Sequence, residues 1–190
     1  MITCRDKKVL LWLEKYHAIT IGQAESMFYK NYDVARKRLK YLEECQHCQD
    51  YKDKYSNNKV YYSDRKVSSH DLLEYDFIKY IYNHGGTLNK FIPQRRFLNG
   101  QIVCDAYVEF IYKDNLYFIL LEVDYTHFTS ISKIALYDKL YKSGQLQKEC
   151  YGTFPILIIS KPIVTTKTSN FNFDTLYCSL DYHELDFLLL

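Results

Sequence analysis

Apolar positions recur along the chain with two periods, and the first third follows the helical one. In DKKVLLWLEKY (6–16) the apolar positions 9, 10, 12, 13 and 16 define one helix face, with Asp6 near its N-terminus. In AITIGQAESMF, Thr20 precedes apolar positions 21, 24, 27 and 28, which predicts a short capped helix. NYDVARKRLKYLEEC predicts a third helix, capped by Asn31 or Asp33. Its Val34, Ala35, Leu39 and Leu42 are expected inward, with Arg36, Lys37, Arg38, Lys40 and Tyr41 mostly on other faces. The period then falls to two in CQDYKDKYSNNKVYYS. There SNNK is a turn flanked by tyrosines, so a β-hairpin is expected.

Three helices followed by a hairpin is the order of a winged helix-turn-helix. In that arrangement the third helix enters the major groove, and Arg36, Lys37, Arg38 and Lys40 meet phosphates and base edges of double-stranded DNA. Lys52, Lys54 and Lys59 on the hairpin touch the flanking backbone. The same order also serves protein-interaction modules, and a charge run is often only a solvated face.

SSHDLLEYDFIKYIYNH predicts a further helix, capped near Ser69 and ended by Gly85-Gly86; it closes a first domain or opens a second. TLNKFIPQRRFLNG reads as irregular. Two strands follow, QIVCDAYVEFIY and LYFILLEVDY, joined by KDN. TSISKIALYDKLYKSGQLQKECY reads as a helix, FPILIIS as a buried strand and LYCSLDYH as one more; apolar ELDFLLL should dock on the body. Strand, helix and buried strand form a βαβ crossover, and strands apolar on both faces imply a sheet covered on both sides. The expected fold is therefore α+β and α/β: a winged helix over 1–67, then a mixed-sheet α/β sandwich over 68–190, with the 69–83 helix at the junction.

ILLEVDYT (119–126) places Glu122 and Asp124 inside a strand of buried character, where a charge is costly unless it is compensated. A tight turn centred on Asp114-Asn115 sets Asp105 opposite Asp124 and Tyr107 opposite Glu122, with all three acids on one face. Three such carboxylates repel one another. A divalent metal, a retained proton or basic side chains (Arg95, Arg96 or Lys139) would relieve them. Oxygen ligands at this spacing suit magnesium or manganese, held by Asp105 and Glu122.

Charge changes the picture only when divided. The net +2 resolves into 14 Lys and Arg against 9 Asp and Glu over 1–67, and 11 against 14 over 68–190. A basic front and a mildly acidic back imply different partners. Tyrosine is frequent, at 20 residues, so many phenols should sit half-exposed with their hydroxyls wet. No segment has the length and apolarity of a membrane span, and the N-terminus lacks the pattern of a signal peptide, so the cytoplasm is expected. The six cysteines are then reduced thiols. Cys45 and Cys48, with His47 between, offer half a zinc site.

CDAYVEF and LYFILLEVD, followed by a helix bearing Lys139 and Tyr141, resemble the core of PD-(D/E)XK nucleases. The resemblance implies that Asp105 matches the first acid and Glu122 the second. Asp124 stands where the family has a lysine, which would have migrated to Lys133 or Lys139. A winged helix ahead of this sheet is similar to the replication-relaxation family of mobile elements. That likeness implies a DNA-binding protein of a plasmid, phage or conjugative element, acting in replication, relaxation or transfer. Relaxase or replication proteins and a second copy of the chain are then candidate partners. An active metal-dependent endonuclease would use Asp105, Glu122, Asp124 and Lys139. The alternatives are a degenerate nuclease fold, a non-catalytic transcriptional regulator and a protein-interaction module.

Overall fold

The protein is described by a computed structural model covering residues 1–164 and 171–185. The chain divides into two compact units, 1–83 and 84–190. The 69–83 helix thus belongs to the first unit rather than opening the second.

In the first unit, α1 (Cys4–Tyr16) is capped by Thr3, whose hydroxyl accepts from Asp6 N while the Asp6 carboxylate accepts from Thr3 N. It buries Val9, Trp12, Leu13 and Tyr16. Strand β1 (Ala18–Thr20) follows directly. Helix α2 (Ile21–Ala24) starts at Thr20, as expected, with Gln23 completing the cap, and runs into a π-helical turn over Glu25–Tyr29. Asn31 caps α3 (Tyr32–Glu44) by accepting from Val34 N. Ala35, Leu39 and Leu42 are buried, but Val34 is 40% exposed, contrary to expectation. The three buried positions already form a stripe at helical spacing, and Val34 lies about 100° from Ala35, outside it. Strands β2 (Gln49–Lys52) and β3 (Lys59–Tyr62) form the expected hairpin. β1 adds to the other side of β3, giving a three-stranded sheet in the order β1-β3-β2. Helix α4 (Ser69–Asn83) completes the unit. Its cap is Ser68, one residue earlier than expected, paired reciprocally with Asp71.

The second unit begins with β4 (Thr87–Pro93), drawn from the stretch expected to be irregular. A short ribbon, β5 (Arg96–Phe97) and β6 (Ile102–Val103), separates it from β7 (Ala106–Tyr112). β7 pairs with β8 (Asn115–Val123) through a two-residue turn, Lys113-Asp114, in which both residues have positive φ, 46° and 62°. The expected single helix is two, α5 (Ile131–Ser143) and α6 (Gln145–Glu149), because Gly144 turns left-handed at φ 67° between them. β9 (Ile156–Ser160) and β10 (Thr175–Cys178) complete a mixed five-stranded sheet ordered β10-β9-β8-β7-β4. β4, β8, β9 and β10 run in one direction, and β7, between β8 and β4, runs antiparallel to both neighbours.

One sheet face carries Tyr107, Phe118, Leu120, Leu157 and Ile159, packed with Ile134, Tyr137 and Leu140 of α5 and Leu146 of α6. The other face, with Val108, Phe110, Ile119, Leu121 and Ile158, is buried as well. The architecture is mixed α and β, as expected. Residues 186–190 of the apolar tail lie outside the described residues. Among the described residues, no helix is long and apolar enough to cross a membrane.

Candidate functional site

The turn at Lys113-Asp114 slides the β7–β8 register two residues from the expected one, so Tyr107 faces Leu120 rather than Glu122. An even slip keeps every side chain on its face. Continuing the ladder one step past Ala106–Leu121 sets Asp105 across from Glu122, not from Asp124. There the Asp105 carboxylate accepts from Val123 N at 2.7 Å, standing in for a backbone partner just before β7 begins.

Glu122 is 1% exposed. Two residues of α5, spaced to share a helix face, reach it from above. The Lys133 ammonium lies 2.5 Å from Oε2, and the Tyr137 hydroxyl donates to Oε1. Burial pushes the Glu122 carboxyl up to about 7, and the charge of Asp105 adds to this, against Lys133 and Tyr137. Burial and then Glu122 drive the Tyr137 phenol far above its ordinary range. The Lys133 ammonium thus pairs with Glu122, one of the two acids expected to hold a cation. Both Glu122 oxygens already accept hydrogen bonds.

The other expected members of the site lie elsewhere. Asp124 falls beyond the end of β8, where its Oδ1 accepts from Thr129 N at 2.8 Å and from Thr129 Oγ1 at 2.6 Å. It caps the loop into α5. Lys139 is exposed on a different face of α5 from Lys133. Arg95 pairs with Glu149 and lies over the Tyr107 ring at 4.2 Å, and Arg96 is exposed. Tyr137 was not anticipated; its spacing of four from Lys133 was the available signal.

The basic helix divides in two. Arg36, Lys37 and Lys40 are exposed on α3; Arg36 meets Asp33 at 3.3 Å and Lys40 meets Glu44 at 3.7 Å, both neighbours on the same helix. Arg38 instead points inward to Asp6, which is fully buried. Its Nε donates to Asp6 Oδ1 at 3.0 Å, and the Tyr29 hydroxyl donates to the same oxygen at 2.7 Å. Burial alone would raise the Asp6 pKa, but hydrogen bonds led by that of Arg38 hold it far below the carboxylate range. Arg38 thus fastens α3 to α1 and is committed to the fold. Lys59 is similarly held by Glu43 at 3.0 Å and Asp50 at 3.3 Å. Lys52 and Lys54 of the hairpin are exposed.

Cys45 is exposed, whereas burial pushes the Cys48 thiol up to about 12, with Glu43 and Asp50 adding to it. Cys45, His47 and Cys48 form no ligand cluster among the described residues. No family model, curated protein or solved structure matches the chain.

Proposed function

We propose that the chain is a DNA-binding protein of a plasmid, phage or conjugative element, acting in replication, relaxation or transfer, with a non-catalytic nuclease-like second unit. The order α1-β1-α2-α3-β2-β3 is that of a winged helix-turn-helix, with α3 as recognition helix and β2–β3 as the wing. The observation that carries the reading is the exposed set Arg36, Lys37 and Lys40 on α3, continued by Lys52 and Lys54 on the hairpin. These side chains are available to phosphates, whereas Arg38 and Lys59 are taken up internally. The cellular setting rests on the likeness to the replication-relaxation family. Asp124, which accepts from Thr129 in the loop before α5 instead of joining the pair, supports the non-catalytic reading.

Replacing Arg36, Lys37 and Lys40 by alanine should weaken duplex binding. It should also reduce the slope of log affinity against log salt by roughly 3, at about 0.9 per lost phosphate contact. Unchanged affinity in the folded variant would sink the assignment of α3.

An active nuclease is the second reading, favoured by the meeting of Asp105, Glu122 and Lys133 at one end of the sheet. A manganese-dependent nick in supercoiled DNA, lost in Glu122→Gln, would establish it in place of the non-catalytic one.

A further inference from the structure

Away from the acidic pair, the first turns of α4 bring together His70, Asp71 and Glu74. His70 and Glu74 are four residues apart and Asp71 and Glu74 three apart, the spacings at which helix side chains converge on one face. One donor atom from each lies within 4.8 Å of the others. His70 Nδ1 stands 3.2 Å from Glu74 Oε1. Two ligands bound to one ion at about 2.0–2.1 Å in tetrahedral geometry are about 3.3 Å apart, so the pair is already at coordination distance. A rigid helix backbone supplies all three donors, as it does in the His/Glu helix motifs of metalloproteins.

The surroundings add negative charge. Glu74 is fully buried and Asp53 is 4% exposed. Asp53 bonds Ser69 Oγ at 2.5 Å, in the same helix turn as His70. The His70 side chain is 26% exposed, which leaves an entrance from solvent.

We infer that His70, Asp71 and Glu74 bind one divalent first-row transition cation, with zinc the representative ion. One imidazole nitrogen and two carboxylates suit this class better than calcium or magnesium, which take oxygen donors. Bound there, the ion ties together the first turns of α4, where Ser69 donates to Asp53 of the hairpin.

The test uses the full chain, stripped with a chelator and titrated with zinc chloride by calorimetry. One zinc per chain should bind and raise the melting temperature by mass action. His70→Ala should weaken binding by more than about 100-fold, the upper range for losing only a ligand's supporting partner. Cys45→Ser with Cys48→Ser, and separately Glu122→Gln, should leave the stoichiometry intact. X-ray absorption of the zinc-loaded wild type should show an imidazole and oxygen shell, a readout that needs no variant to fold. No bound zinc, binding unaltered in His70→Ala, or a sulfur shell would overturn the site.

Discussion

Single carboxylates in this protein are governed by their hydrogen-bond donors and burial, and two of them make opposite demands on pH. Glu122 ionises near 4.5 when unfolded and near 7 in place. Between these values the folded chain holds a proton that the unfolded chain has lost, so its contribution to stability falls as pH rises through the window. The shift corresponds to about 3 kcal/mol. Urea midpoints at pH 5 and pH 8 should show this fall in the wild type and lose it in Glu122→Gln; parallel profiles would contradict the buried, proton-holding state. Asp6 behaves the other way. Its pKa is held below the ordinary 3.8, so its contribution is present above that value and lost as pH falls below it. Asp6→Asn breaks a buried ion pair with Arg38 and should cost about 3–5 kcal/mol at pH 7 by urea unfolding. A loss below about 1 kcal/mol would mean that Arg38 finds other partners.

At the scale of elements, the β7–β8 turn offers a gain rather than a loss. Lys113 and Asp114 both adopt positive φ, which residues other than glycine and asparagine adopt at a cost. Lys113→Asn with Asp114→Gly should raise stability by about 1 kcal/mol, measured as a higher urea midpoint with unchanged slope. The same turn shows where a sequence reading stops. Its position was misjudged by one residue because KDN carries no glycine to mark it. The error reached the register, yet the faces survived because the slip was even. Helices α1, α3 and α4 were legible, since each repeats its apolar face over several turns. β1 was not, because its three residues are all buried and show no alternation. β4 was hidden by the exposed Asn89 and Lys90 and by Pro93. Glu122 announced itself as a carboxylate in an apolar run. Its partners did not, because the packing of Ile134, Tyr137 and Leu140 sets which face of α5 meets the sheet.

For the whole molecule, the exposure of its loops predicts where a protease enters first. Limited digestion should cut at the exposed hairpin tip around 55–58, or in the exposed 99–101 loop, before it reaches β8 or β9. Mass spectrometry of the first fragments decides this, and early cleavage within 118–123 would contradict a buried central strand. The outer strand of the five-stranded sheet bears on a different property, behaviour at high concentration. β4 ends the sheet order, its ladder is interrupted between Leu88 and Lys90, and proline closes it. An irregular row of backbone groups lacking one N–H is a poor template for another molecule's strand. Concentrated stocks of the folded protein should therefore resist fibrillar growth from this side of the sheet.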